Sequence, residues 1–132
     1  MTDFALVSVH SGHSGNFCSH ALDSLEDIVQ RYVDLNFEWV CLTEHMPAHQ
    51  THLIPPEELA AGFSVDSMQT RFDDYFVEAR RLQAHFEDQI KIFVGFETDA
   101  YSGYQDAVAE LISRHEPDMI VGSVHHLSLI HI

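Results

Sequence analysis

Positive charge is what this chain has least of: six Lys and Arg stand against 21 Asp and Glu, a formal charge of −15 over 132 residues. Neutralising a nucleic-acid backbone or an anionic membrane surface takes clustered basic side chains, and so few cations do not make such a footprint. An acidic surface also repels a phosphate ester, so a phosphate substrate needs bound cations to reverse the local sign. Cysteine is scarce too. Cys18 and Cys41 make no CxxC spacing, which fits a reduced chain with a cytoplasmic location. No apolar run approaches the ~20 residues of a membrane span, and Met1-Thr2-Asp3-Phe4 lacks the basic start of a signal peptide. With no repeat or low-complexity tract and 45% apolar residues, the expectation is one modest domain.

Histidine is what the chain has in surplus, with eleven copies. Their placement is more telling than their number. Val40-Cys41-Leu42-Thr43-Glu44-His45, Ile92-Phe93-Val94-Gly95-Phe96-Glu97 and Met119-Ile120-Val121-Gly122-Ser123-Val124-His125-His126 are short apolar runs that each end in a metal-type ligand. A fourth run, Phe4 to Val9, opens onto His10, His13 and His20. Strand ends that all deliver imidazole or carboxylate describe a metal site at the mouth of an α/β barrel.

Strand and helix signals alternate along the chain. Leu22, Leu25, Ile28, Val29, Tyr32, Val33 and Leu35 recur at helical spacing after a cap at Asp23 or Ser24. Phe37 to Thr43 reads as a strand buried on both faces, and Met46 to Phe63, with three of the four prolines, as a loop over the strand ends. A long amphipathic helix is predicted from about Val65 to Glu87, a strand over Ile90 to Phe96, a shorter helix from Gln105 to His115 stopped by Pro117, and a strand over Met119 to Val124. The βαβαβαβ order predicts a parallel α/β fold. Four strands do not close a barrel. The last six residues, Leu127 to Ile132, can be read from ctg tct ctt ata cac atc, which resembles a transposase end used in preparing sequencing libraries. The expectation is a genuine region 1–126 followed by a non-native tail at 127–132, with a native apolar strand as the alternative.

Imidazole and carboxylate ligands suit Zn²⁺, Mn²⁺ or Fe²⁺, ions that lower the pKa of a bound water and clamp phosphoryl oxygens. His13-Ser14-Gly15-Asn16-Phe17-Cys18-Ser19-His20, Cys41 to Pro47, Gly95-Phe96-Glu97 and Val121 to His126 resemble the successive motifs of the fungal-type histidinol-phosphatases of the polymerase-and-histidinol-phosphatase (PHP) superfamily, in family order. Pro55-Pro56-Glu57-Glu58 is similar to that family's Pro-Glu-Glu element. The resemblance implies the N-terminal part, about four β/α units, of a distorted (β/α)7 barrel. It implies up to three divalent ions and hydrolysis of L-histidinol phosphate in histidine biosynthesis by a metal-bound hydroxide, so no Ser or Cys nucleophile is needed. By the same resemblance His10, His13, His20, His45, Glu97 and His125 are metal ligands; Glu44 reads either as an acceptor that orients His45 or as an exposed loop carboxylate, and His126 either as a phosphate or substrate contact or as a residue facing a neighbouring helix.

The chain departs from the pattern in two places. Where the family has His-x-His, it reads His10-Ser11-Gly12-His13, and one extra residue turns His10 to the wrong side of its strand unless a bulge, which Gly12 permits, restores it. The family's later ligands lie beyond Ile132. An inactive metal-binding fragment and a PHP phosphodiesterase are therefore the competing readings, the latter disfavoured by the missing basic groove. His85 and His115 are expected on exposed helix surface, and His49 and His52 in an exposed loop. Asp99 is ambiguous, and Cys18 is read as a loop thiol.

Overall fold

A computed structural model describes residues 4–11, 14–17 and 22–122. Its elements run β1 (Val7–Ser11), α1 (Leu25–Asp34), β2 (Trp39–His45), a 3-10 turn (Thr51–Leu53), α2 (Pro56–Ala60), α3 (Val65–His85), β3 (Lys91–Glu97), α4 (Tyr104–His115) and β4 (Met119–Val121). The four strands form one parallel sheet in the order β1-β2-β3-β4, so the βαβ reading holds throughout the described residues. Each strand starts or ends within a few residues of its expected position. The predicted continuation of the last strand to Val124 lies outside the described residues.

Local chemistry accounts for the element ends. Ser24, not Asp23, caps α1, its side chain accepting from the Asp27 N–H at 3.1 Å. Ser64 and Ser67 satisfy each other's orphan N–H groups in a reciprocal box that starts α3. Glu116, with φ 47°, ends α4 in the left-handed region, and Pro117 prevents its resumption. The stretch expected to be a plain loop contains α2, which opens on Pro56 with Glu57 and Glu58 in its first turn. Proline is favoured there because its missing N–H has no partner to lose.

One face of the sheet carries Val40, Leu42, Ile92, Val94 and Phe96, which pack with Leu25 and Val29 of α1 and with Phe72, Tyr75, Phe76, Ala79 and Leu82 of α3. Tyr75 is fully buried, and its hydroxyl sits 2.9 Å from the Leu42 carbonyl and 2.7 Å from the Gly95 carbonyl, tying the helix to two strands. Burial, the largest influence, pushes that phenol well above its usual range, so it stays a neutral donor. By the alternation of side chains, Trp39, Cys41, Thr43, His45, Phe93, Gly95 and Glu97 point to the opposite face. The site is built on that face. No helix among the described residues is long and apolar enough to cross a membrane.

Candidate metal centre

The parallel register aligns His45, the last residue of β2, directly with Glu97, the last residue of β3. Their side chains meet there, His45 Nδ1 lying 3.3 Å from Glu97 Oε2. Glu97 is 4% exposed, so its carboxylate has left water and depends on neighbours that favour negative charge. His10 approaches as well, with Nε2 3.4 Å from the same oxygen.

His10 reaches this position because β1 is bulged. Val7 and Ser8 pair with Trp39 and Val40, but Ser11 pairs with Leu42, so three steps along β1 match two along β2. A regular strand would set His10 opposite Leu42, on the helix-covered face. The bulge gives that place to Ser11 and turns His10 to the side of Thr43 and Glu97. The rescue anticipated at Gly12 therefore occurs earlier, between Ser8 and Ser11. Cross-strand bonds hold it: Ser11 Oγ donates to the Cys41 carbonyl at 2.7 Å, and Thr43 Oγ1 lies 3.1 Å from the Ser11 N–H, 3.0 Å from the Ser11 carbonyl and 2.6 Å from His10 Nδ1.

Glu44 points to the other face of β2 and is 2% exposed. Its carboxylate accepts from the N–H of Ser14 at 3.3 Å and from the N–H of His45 at 3.1 Å. It thereby ties the β1–α1 loop, next to His13, to the end of β2. The alternative of a solvated loop carboxylate is excluded by this burial. His13, His20, His125 and His126, and Cys18, lie outside the described residues. Among the described residues no three His, Cys, Asp or Glu side chains are grouped as a ready-made cage for an ion.

Beside the histidine and carboxylate cluster opens a cleft of about 620 Å³, whose lining includes His45, Glu97, Asp99, Tyr101, Glu58 and Arg71. Asp99, ambiguous in sequence, is thus placed in the cleft wall. Tyr101 is buried, and burial, followed by the nearby Asp99 charge, pushes its hydroxyl up to about 12. His49, expected to be exposed, is half-buried instead: its ring stacks on Tyr101 at 4.9 Å and its Nδ1 lies 2.9 Å from the Tyr101 hydroxyl. His52 lines the cleft and is exposed, as is His85 on α3.

His115 departs further from its expected place on exposed helix surface. Its side chain is 9% exposed, and its ring stacks on Phe76 at 4.4 Å and meets Phe72 edge-on at 5.3 Å. It belongs to the contact between α3 and α4.

Two features of the site escaped the sequence. Thr43 sits inside an apolar run, where a β-branched residue reads as strand filler. Arg71 bridges to Glu58 at 2.7 Å and lies over the Phe63 ring at 4.4 Å, fastening α2 to α3 at the edge of the cleft. Its signal was scarcity, since it is one of only six cations in the chain.

The PHP domain profile matches residues 9–131. A Schizosaccharomyces pombe protein named "probable histidinol-phosphatase" is 38% identical over 127 residues, 96% of this chain and 40% of that protein. The Saccharomyces cerevisiae histidinol-phosphatase is 30% identical over 134 residues, 93% of this chain and 40% of its own length. Among solved structures, Listeria monocytogenes hisK superposes with a TM-score of 0.69 at 22% identity, covering 92% of this chain and 45% of that one. The Lactococcus lactis histidinol phosphate phosphatase, solved with zinc, L-histidinol and phosphate, superposes at 0.60 with 25% identity, covering 92% and 40%. The chain thus spans about 40% of the length of the curated relatives it matches. The parallel α/β sheet is part of the same fold as these structures, and with the profile covering nearly all of it, the chain belongs to the PHP domain family.

Proposed function

We propose that this chain is the N-terminal part of a metal-dependent phosphomonoesterase that hydrolyses L-histidinol phosphate to L-histidinol and phosphate in the cytoplasm. The observation that carries the proposal is the meeting of His10, His45 and Glu97 at the C-terminal ends of three parallel strands, beside a cleft large enough for a small phosphate ester. The names of the yeast relatives and the ligands of the Lactococcus structure support the choice of substrate.

Two donor separations in this cluster suit a divalent ion, with the rest of a cage sought outside the described residues. Ligands of a tetrahedral ion with bonds of about 2.1 Å sit roughly 3.4 Å apart. The two histidine nitrogens lie 3.4 and 3.3 Å from Glu97 Oε2. His10, His45 and Glu97 would hold Zn²⁺, Mn²⁺ or Fe²⁺, with His13, His20 and His125 proposed to complete a centre of up to three ions. Such ions, when bound, make a water nucleophilic near neutral pH and offset the charge of the phosphoryl oxygens. The chain's own contribution is positional. The sheet fixes His45 and Glu97 in register, Glu44 fixes the backbone beside His13, and the cleft walls keep the ester at the strand ends. His126, two residues beyond the last motif's Val124, is proposed to touch the phosphate.

The remaining cleft chemistry suits the alcohol half of this substrate. Glu57 and Asp99 line it with Glu58 and one arginine, a negative wall matching an amino alcohol that also carries an imidazole. The division into a native region 1–126 and a tail at 127–132 is likewise a proposal, checked by reading the genomic frame past codon 126. The function itself is tested with the full-length protein loaded with Mn²⁺ or Zn²⁺. Release of phosphate from L-histidinol phosphate, with no cleavage of bis-p-nitrophenyl phosphate, is the expected outcome. Bound metal without phosphate release would overturn the enzyme reading, and preference for the diester would favour the phosphodiesterase alternative.

A further inference from the structure

A histidine that ligates through one ring nitrogen needs its other nitrogen held, because that second bond selects the tautomer and the ring orientation. For His10 the holder is a buried hydroxyl. We propose that Thr43 is a positioning residue: by accepting the Nδ1–H of His10 it leaves the Nε2 lone pair facing the place shared with Glu97 and His45, so that the extra residue in His10-Ser11-Gly12-His13 costs the centre no ligand. This rests on the reading of His10 as a metal ligand.

The proton count selects this arrangement. A threonine hydroxyl has one proton and two lone pairs. Thr43, with no exposed surface, has three partners within reach of its oxygen: the Ser11 carbonyl at 3.0 Å, the Ser11 N–H at 3.1 Å and His10 Nδ1 at 2.6 Å. The carbonyl can only accept, so it takes the proton. The Ser11 N–H can only donate, so it takes one lone pair. The second lone pair faces His10, which must then carry its proton on Nδ1. Giving the hydroxyl proton to His10 instead would take this donor from the Ser11 carbonyl, and the proton left on Nε2 would bar that nitrogen from ligation.

The same bonds explain how the bulge is tolerated. An extra residue in a ladder leaves backbone groups without strand partners. Here both the N–H and the carbonyl of Ser11 turn to Thr43, and the Ser11 hydroxyl turns to the Cys41 carbonyl. Thr43 lies two residues before His45 on the same face of β2. One strand therefore delivers its own ligand and orients that of its neighbour.

Two measurements on the full-length protein decide the matter. Long-range ¹H–¹⁵N correlation spectra of the zinc form are expected to show His10 protonated at Nδ1 and bare at Nε2. Thr43→Val, which keeps shape and loses the hydroxyl, is expected to weaken zinc uptake at dialysis equilibrium about 10- to 100-fold, while Thr43→Ser stays within about threefold of the native protein. A proton on Nε2 of His10 in the zinc form, or native zinc affinity in Thr43→Val, would overturn the assignment, and the spectra decide even if the valine variant does not fold. If the native protein takes up no zinc, this proposal and the metalloenzyme reading fall together. If zinc binds through His10 Nε2 but no phosphate is released from L-histidinol phosphate, the functional reading alone falls.

Discussion

At the scale of single residues, the chain's histidines divide by what surrounds each ring. His10 and His45 share a carboxylate oxygen, His49 shares a stack with a tyrosine, and His115 is built into an aromatic contact. His115 carries the clearest pH signature. Burial against Phe72 and Phe76 is the main cause that holds its pKa below the usual histidine value; Asp73, with Nε2–Oδ1 at 3.0 Å, opposes this, and Arg114 reinforces it. Because the unfolded chain then binds the proton more readily than the folded one, this group's contribution to stability is intact above about pH 6.5 and is lost as the pH falls below it. His115→Phe should therefore flatten the decline in Tm between pH 7 and pH 5, with little change at pH 7.5. An unchanged slope would show that other groups govern the acid limb. Sequence pattern missed this residue because an amphipathic helix end is a common place for a solvated histidine, and the aromatic cage comes from α3, distant in sequence.

At the scale of elements, the strands were legible because a parallel sheet covered on one side and lined on the other leaves unbroken apolar runs, and those of β2 and β3 stop at His45 and Glu97. The bulge in β1 was legible only as a need. Its position is set by Thr43 and Cys41 on another strand, which no local spacing reveals. α2 was hidden for a different reason, since a five-residue helix in a proline-rich strap has no room to show a period. The β3–β4 contact shows how tightly the elements are set. A Cβ on Gly95 would lie 1.9 Å from the Met119 carbonyl oxygen and 2.7 Å from its sulfur, so the backbone of one strand would have to move. Gly95 is two residues from Glu97 on the same face, and the shift would be felt at the site. Gly95→Ala is expected to cost about 2–3 kcal/mol in urea unfolding. Gly122→Ala, whose added Cβ would meet nothing within 4 Å, should cost almost nothing. Equal midpoints for the two variants would contradict the close-approach argument.

At the scale of the molecule, the sheet is covered unevenly. α1 and α3 bury one face, but the β1 edge leaves Phe4 83%, Leu6 47%, Val7 37% and Val9 60% exposed, and Ile120 on β4 is 37% exposed. β1 and β4 are the outer strands of the described sheet, so each has a side without a strand partner among the described residues. Open edges bearing apolar side chains are templates for further pairing, and the usual deterrent, lysine along the edge, is scarce in a chain with six cations. The strong negative charge works the other way, since self-repulsion at −15 opposes close approach of two copies. Salt decides between them, because the Debye length falls from about 30 Å at 0.01 M to about 8 Å at 0.15 M while apolar burial is unaffected. The 132-residue chain alone is accordingly expected to elute as a species larger than 15.0 kDa at 0.15 M salt, and to shift towards monomer at 0.01 M. Light scattering coupled to size exclusion measures both states. A monomer at both salt concentrations with a sharp two-state melt would mean that residues outside the described set cover the edges, and that these strands already form a finished domain.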